Sequence, residues 1–259
     1  MTIDVSRVPL DEIRALRELR RREMNCQIIL YSWPERGWAD SFLLRRADGV
    51  VGYASVGGRE ERDLVTEFYI VPAERASAQR LFRRLIEVSG AKNIECQSND
   101  RLLTLMLYDF AAAIESHVVL FEDGMTTHLP PPGPLTLRRA AAADKERIAR
   151  DDGDVDAAWL LEAEDGSIVA TGGLLFHYNV PYGDLYMRVG ERFRRRGYGS
   201  YLIQELKRVA YEMGKVPAAR CNAVNVASRA TLQKAGMMPC GRMLAGAITN
   251  PRQREAEPP

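Results

Sequence analysis

The sequence of 259 residues contains few side chains that bind metals, with four cysteines and three histidines. The cysteines lie far apart, and none of them forms a C-x-x-C pair. Because metal sites in proteins use closely spaced cysteines and histidines, we expect no metal in this protein. Scattered thiols without a disulfide framework are typical of a reducing compartment, so we expect a cytoplasmic location.

The sequence also lacks a charge bias and a long apolar run. Its formal net charge is +1, which gives no electrostatic reason to expect a nucleic acid or an anionic membrane as partner. The longest apolar stretch, residues 102–114, is too short to cross a bilayer and contains Asp109. The first seven residues are too polar for a signal peptide. We therefore expect a soluble protein without membrane contact.

The chain is long enough for two domains, and its pattern repeats on the two sides of a proline-rich segment at residues 130–134. Each side has an apolar triplet followed six residues later by an Asp-Gly pair and a second apolar run, typical of a β-hairpin. These hairpins fall at residues 42–53 and 159–170. The pattern predicts a domain at 1–129, a linker at 130–134, a domain at 135–249 and a disordered tail at 250–259.

After each hairpin the pattern continues with a strand and a helix, and then with a shorter strand and helix. The strands are predicted at 64–71 and 185–189, and the helices at 77–89 and 200–213. This β-β-β-α-β-α order predicts an α/β protein with two tandem copies, each a central and mostly antiparallel sheet flanked by helices.

The segment Arg194-Arg195-Arg196-Gly197-Tyr198-Gly199 lies between the strand at 184–189 and an amphipathic helix. The helix has one apolar stripe, made by Leu202, Leu206, Val209 and Met213. Glycines at the start of a helix allow backbone N–H groups to approach an anion, and the helix dipole adds positive charge. The arginines supply further countercharge, so this loop fits a pyrophosphate.

The hexapeptide resembles the Arg/Gln-x-x-Gly-x-Gly/Ala signature of the GNAT N-acetyltransferase superfamily. In the longer form of that signature a valine comes five residues before the arginine, as Val189 does here. A second family motif has an asparagine, a small residue, a lysine and a glycine in order. This sequence has Asn225, Ser228, Lys234 and Gly236 at those positions. The resemblance extends over nearly the whole chain as a tandem arrangement.

The resemblance implies an acetyl-CoA-dependent transfer of an acetyl group to a primary amine, which belongs to a small molecule or a peptide. It also implies which residues of the second copy bind acetyl-CoA. They are Met187, Val189, Arg194, Arg195, Arg196, Gly197, Tyr198, Gly199, Ser200 and Asn225. The protein is expected to be a monomer or a homodimer.

The proton transfers of the reaction point to two candidate catalytic residues. The family often uses a carboxylate near the beginning of the strand that precedes the loop, and Asp184 is the nearest one, although its turn-rich surroundings also fit a structural turn residue. The family's usual acid is a tyrosine seven residues after the asparagine, but position 232 is leucine. Ser228 or solvent would have to replace it. His177 and Cys221 are more typical of structural residues.

The first copy has no glycine in its corresponding loop, residues 72–79. Since every residue there carries a Cβ, we predict that this copy is degenerate and binds no coenzyme A. It would act as a scaffold, a lid or a wall of the acceptor site. Tyr31, Trp33 and Trp38 either close a small core or contact a ligand. The missing tyrosine at position 232 and the degenerate first copy leave a second hypothesis open. The protein would then be a sensor that binds coenzyme A without catalysing a reaction.

Overall fold

The structure is a computed structural model that describes residues 3–25, 32–47, 49–58, 60, 62–176 and 180–249. The chain forms two compact units. The first unit contains the described residues up to Val118 together with those from Gly241 onward, and the second unit runs from Val119 to Cys240.

The first unit begins with a strand, two helices and a three-stranded antiparallel meander, and continues with alternating helices and strands. Its elements are β1 (Ile3–Val8), α1 (Arg14–Glu23), α2 (Ser32–Glu35), β2 (Ala39–Arg46), β3 (Gly49–Gly57), β4 (Leu64–Ile70), α3 (Ala78–Ser89), β5 (Asn93–Gln97), α4 (Arg101–Phe110) and β6 (Ala111–Asp123).

The second unit repeats this order after β6, except that the short helix α2 has no counterpart in its described residues. Its elements are β7 (Leu135–Arg139), α5 (Lys145–Arg150), β8 (Trp159–Ala163), β9 (Ile168–Leu175), β10 (Tyr182–Val189), α6 (Tyr198–Glu212), β11 (Val216–Asn222), α7 (Val226–Lys234) and β12 (Met237–Ile248). The chain passes from one unit to the other within β6 and again within β12. This division differs from the predicted boundaries at 129 and 135, because each of these two strands has a part in either unit.

The sheets of the two units have the same pairing pattern. In the first unit the strand order is β1-β2-β3-β4-β5, followed by the second half of β12, which pairs antiparallel with β5. In the second unit the order is β7-β8-β9-β10-β11. One parallel pair occurs in each set, β4 with β5 and β10 with β11, and the other pairs are antiparallel. The predicted α/β class with mostly antiparallel sheets in two copies is confirmed.

The hairpins and helices lie where the sequence predicts them, with small differences at their ends. Gly166 turns the β8–β9 hairpin with φ +78°, and Asp165 Oδ1 accepts a hydrogen bond of 2.9 Å from Ser167 N. Asp48 of the other hairpin lies outside the described residues. Met213, assigned to the apolar stripe of the second helix, is 46% exposed, because it is the C-cap residue at the end of α6.

Each unit has its own hydrophobic core between a sheet and a helix. In the first unit α3 buries Leu81, Phe82 and Leu85. In the second unit α6 buries Leu202 and Leu206 together with other apolar side chains of the sheet and of α7. Because α6 packs on β9 and β10, its N-terminus is fixed beside the end of β10.

Candidate functional site

The loop between β10 and α6 presents backbone amides at a helix N-terminus. A 3₁₀ turn at Glu191–Phe193 and residues 194–197 join the two elements. Gly197, the N-cap of α6, has φ +90°, and Arg195 has φ +63°. The first amides of any helix lack intrahelical acceptors, and among the described residues no side chain caps this helix in their place. This geometry suits an anion such as a pyrophosphate.

The two glycines of the motif have different roles in the structure. Gly197 has a left-handed backbone and open space around it, with Pro132 at 3.8 Å from the position of a Cβ atom. A Cβ at Gly199 would lie 3.1 Å from Thr231 Cγ2 and 3.2 Å from Val189 Cγ2. Gly199 therefore allows close packing of α6 against β10 and α7, whereas Gly197 provides the conformation that the loop needs.

The strand before the loop has an open edge next to this helix N-terminus. Among the described residues, β10 pairs with β11 over Tyr182–Leu185 against 216–219, and beyond this point the two strands separate. The side chain of Met187 lies below the start of α6, with its sulfur 3.6 Å from the position of a Cβ at Gly199. On the side that faces β11, the described part of β10 beyond Leu185 has no strand partner, while its other side pairs with β9 as far as Val189.

The remaining residues assigned to cofactor binding lie in the first turns of the two helices. Tyr198 packs edge-to-face on Phe193, with ring centroids 6.3 Å apart, and Ser200 is buried in the first turn of α6. Asn225 is the N-cap of α7, and its Oδ1 accepts a hydrogen bond of 3.0 Å from Ser228 N. The asparagine of the second motif therefore stabilises the start of α7.

Asp184 lies inside β10 and not in a turn, so the structural-turn interpretation is wrong. Its side chain is buried, and its Oδ2 lies 3.4 Å from Nε of Arg220 on β11. Side chains alternate along a strand, so Asp184 and the core residue Leu185 point to opposite faces of the sheet. The ion pair with Arg220 was not predicted, since no local signal links residues on separate strands.

The position of the usual acid is occupied by a core residue. Leu232 is 3% exposed and belongs to the hydrophobic core of the second unit together with Cys221. Burial raises the pKa of the Cys221 thiol, and a hydrogen bond with Ser228 partly offsets this effect. Cys221 is thus a packing residue, as predicted, and Ser228 lies half-buried in the first turn of α7.

The arginines around the loop differ in their partners. Arg192 is 62% exposed, and its Nη2 lies 2.5 Å from Oδ1 of Asp151. Arg194 donates to the Val189 carbonyl at 3.4 Å and is 54% exposed. Within the described part of the chain, Arg195 and Arg196 are exposed and have no ion-pair partner. These two guanidinium groups are therefore available to a ligand.

Residues 124–134, which we call the strap, are bound to α6 and include the segment predicted as a linker. The buried Lys207 donates from Nζ to the carbonyl of Met125 at 2.6 Å and lies 2.8 Å from Asp123 Oδ1. Gln204 accepts from Leu129 N at 2.6 Å and donates to Leu129 O at 3.2 Å. Pro132 of the strap lies beside Gly197, 3.8 Å from the position of a Cβ there, and the strap is part of the second unit. The sequence analysis did not predict these contacts. The signal for them was the presence of two polar residues, Gln204 and Lys207, on the buried face of α6.

The first unit has a different loop at the equivalent place. After β4 the chain forms a 3₁₀ turn, Pro72–Ser77, whose N-cap and helical residues include no glycine. Beside β4 a buried ion-pair cluster occupies the sheet face that α1 covers. Arg17 donates to Glu67 through Nε and Nη2 at 3.1 Å, and Arg20 Nη2 lies 2.7 Å from Asp100 Oδ2.

Other predicted residues are outside the site or outside the described residues. Trp33 lines an open cavity of about 330 Å³ in the first unit with Asp63 and Asn93. Trp38 is half-buried below the Arg36 guanidinium at 4.9 Å. Tyr31, His177 and the tail at 250–259 lie outside the described residues. Within the described ranges there is no group of metal-ligating side chains and no helix that is long and apolar enough to span a membrane.

Comparison with known proteins agrees with this geometry. The model of the acetyltransferase (GNAT) family matches residues 124–237, and a model of an acetyltransferase (GNAT) domain matches residues 37–124. No curated protein is similar enough to the sequence to match it.

Several solved structures share the fold over the full length. An acetyltransferase from the GNAT family of Colwellia psychrerythraea has a TM-score of 0.72 at 15% identity and covers 95% of this chain and 100% of its own. A GCN5-related N-acetyltransferase from Sphaerobacter thermophilus has a TM-score of 0.55 at 17% identity, with 96% of both chains covered.

A tandem GNAT protein from the clavulanic acid biosynthesis pathway has a TM-score of 0.59 at 10% identity and covers 96% of this chain and 99% of its own. At these identities the solved structures support the fold alone. The two family models, side by side, cover the chain from residue 37 to residue 237. The chain therefore belongs to the GNAT acetyltransferase family and carries two GNAT domains in tandem.

Proposed function

We propose that the protein is an acetyl-CoA-dependent N-acetyltransferase whose donor site is the β10–α6 loop of the second unit. The observation that carries this proposal is the uncapped N-terminus of α6 beside the open edge of β10. Gly197 shapes the loop for a pyrophosphate, and the exposed guanidinium groups of Arg195 and Arg196 supply countercharge. The acceptor is a primary amine of a small molecule or a peptide.

The residues of β10 provide the chemistry on the acceptor side. An alkyl ammonium has a pKa near about 10 and must lose a proton before it attacks a thioester. Asp184 would take up this proton, directly or through water, and its Oδ2 lies 3.4 Å from Nε of Arg220. Backbone amides of β10 near Met187 would polarise the thioester carbonyl. With Leu232 in the core, Ser228 or water would protonate the thiolate.

An assay of free thiol tests this proposal. Protein, acetyl-CoA and a panel of aminoglycosides, polyamines, amino acids and peptides are mixed, and we expect amine-dependent release of coenzyme A. With an active amine, Asp184→Asn should lower kcat by about 10²–10⁴-fold and leave the affinity for coenzyme A unchanged, because the carboxylate acts on the amine. Asp144→Asn is the control, since Asp144 is also buried and ion-paired but lies away from β10.

A second function, a coenzyme-A-binding sensor, is favoured by the buried leucine at position 232. Tight binding of acetyl-CoA without thiol release across the whole panel would support the sensor and contradict the transferase. An unchanged kcat in Asp184→Asn would remove Asp184 from the mechanism. The cytoplasmic location and a monomeric or dimeric state belong to the same proposal.

We expect one coenzyme A to bind per chain. The loop after β4 begins with Pro72, which has no N–H to donate, and it contains no glycine. In addition, the face of β4 that would correspond to the acceptor side of β10 is covered by the Arg17–Glu67 ion pair. Isothermal titration calorimetry measures the stoichiometry directly. A value near two would contradict the prediction that the first copy is degenerate.

A further inference from the structure

Arg194, the arginine of the family motif, lies between two carboxylates. Its Nη2 is 4.0 Å from Oδ2 of Asp152, and its Nη1 is 3.7 Å from Oε1 of Glu191. Asp152 also receives Arg188, which donates to its carbonyl at 2.7 Å and to its carboxylate. Both ion pairs of Arg194 are long and half-exposed, so Arg194 can exchange a carboxylate for another anion at little cost.

The turn that carries Asp152 is fixed in place by buried contacts. Asp151 has a fully buried carboxylate that accepts a hydrogen bond from Ile168 N at 2.8 Å and pairs with Arg192. Asp152 itself has φ +58°. Gly190 packs so closely on the carbonyl of Asp151 that a Cβ atom there would collide with it. The Asp152 carboxylate therefore stays at the base of the loop.

The charge state of Asp152 agrees with this arrangement. The hydrogen bond from Arg188 lowers the pKa of Asp152, and the charges of Arg188 and Arg194 lower it further. Asp152 is thus ionised at neutral pH. It is therefore a charged partner for Arg194, 4.0 Å away.

We infer that Asp152, assisted by Glu191, competes with the donor's phosphates for Arg194 and thereby sets the affinity for coenzyme A. This inference rests on the proposed donor site. In the free protein Arg194 is held by the two carboxylates, and on binding it turns to the phosphates. Asp152 is a positioning residue that touches neither the acetyl group nor the amine.

The inference predicts that a substitution at the edge of the site improves binding. Asp152→Asn removes one charge, and asparagine accepts the left-handed backbone at this position. We expect the dissociation constant for coenzyme A, measured by calorimetry at low salt, to fall about threefold, as for the loss of one exposed charge at this distance. The gain should shrink at high salt because the charges are screened.

Two further variants separate this effect from a general change in charge or structure. Asp156→Asn makes the same change in the same loop, but Asp156 pairs with Lys145 at 3.7 Å and not with Arg194. The affinity of this variant for coenzyme A should therefore stay within about twofold of that of the unaltered protein. In an Arg194→Ala background, Asp152→Asn should give no gain. A merely structural role of Asp152 would instead weaken binding.

The outcomes distinguish this inference from the proposed function. If the unaltered protein binds no coenzyme A, the donor site itself is wrong and the inference is lost with it. If the protein binds coenzyme A but Asp152→Asn binds with equal or lower affinity, the inference alone is overturned. A gain that persists without Arg194 would overturn it as well, because the competition would not act through that arginine.

Discussion

Gly197→Glu should weaken coenzyme A binding by about 100-fold or more while the second unit stays folded. The site around Gly197 is open, with Pro132 at 3.8 Å from the position of the new Cβ, so the new Cβ meets no backbone atom. It does place a carboxylate and a Cβ where the pyrophosphate would approach the amides of α6. The loss of charge-assisted hydrogen bonds, each worth about 1.5–3 kcal/mol, and the repulsion together give this factor. Calorimetry with coenzyme A measures it.

The control for this variant is at the other end of the same helix. Gly214 also has a positive φ, +65°, and no atom lies within 4 Å of a Cβ built on it. Gly214→Glu therefore carries the same charge and similar backbone strain of about 1–2 kcal/mol, away from the loop. Its affinity for coenzyme A should be unchanged. Equal affinities for the two variants would show that the β10–α6 loop is not the donor site.

The second large effect concerns the stability of the first unit. Glu67 is 1% exposed and accepts hydrogen bonds from Arg17, at 3.1 Å, and from Ser55 Oγ, at 2.9 Å. Glu67→Gln removes the negative charge that Arg17 and Arg20 share, and Arg17 keeps its contact with Glu35 at 3.1 Å. Because an uncompensated buried charge is costly, we expect the free energy of unfolding to fall by about 3 kcal/mol.

Urea unfolding followed by tryptophan fluorescence measures this change, since Trp33 and Trp38 both lie in the first unit. Glu87→Gln is the control, because Glu87 forms an exposed pair with Arg84 at 2.9 Å, and such pairs contribute about 1 kcal/mol or less. A difference below about 1 kcal/mol between the Glu67 and Glu87 variants would contradict a stabilising role for the buried cluster.

The effect of Glu67→Gln should depend on pH. Burial by itself raises the pKa of Glu67, but Arg17 and Arg20 lower it more strongly, and the net shift is downward from the ordinary value of 4.5. A carboxyl with a lowered pKa stabilises the fold at pH values above its unfolded pKa, and this contribution is lost as the pH falls through the folded pKa. The unaltered protein and Glu67→Gln should therefore differ in free energy of unfolding by a constant amount at neutral pH. This difference should become smaller below about pH 4.5.

The sequence was a sufficient guide to the features that depend on short spacing. The step from β10 through Gly197 to the stripe of α6 lies within residues 182–213, and its strand, loop and helix agree with the structure. The role of Gly199 was not visible, because it depends on Thr231, which is distant along the chain. Asp184 was ambiguous for a related reason. Proline and glycine nearby favour a turn, and pairing with β9 and β11 overrides that local preference.

Charge partners were the least predictable feature of the site. The cluster of arginines before Gly197 was evident, but the sequence does not show which of them are neutralised. Arg192 pairs with Asp151, 41 positions earlier, and Arg194 shares Asp152 with Arg188. Such pairs depend on how the loop at 151–153 packs against Gly190. Local pattern and composition contain no information about that packing.

The pairing of strand β12 has a consequence for the order in which the two units fold during synthesis. Its second half pairs with β5, with Leu244 opposite Cys96 and Gly246 opposite Ile94, and completes the sheet of the first unit. A ribosome synthesises residues 241–248 after the whole of the second unit. During translation the second unit can therefore fold first. Until the second half of β12 has been synthesised, the edge of β5 that it covers remains unpaired. Expression of the leading half alone would leave that edge exposed to aggregation.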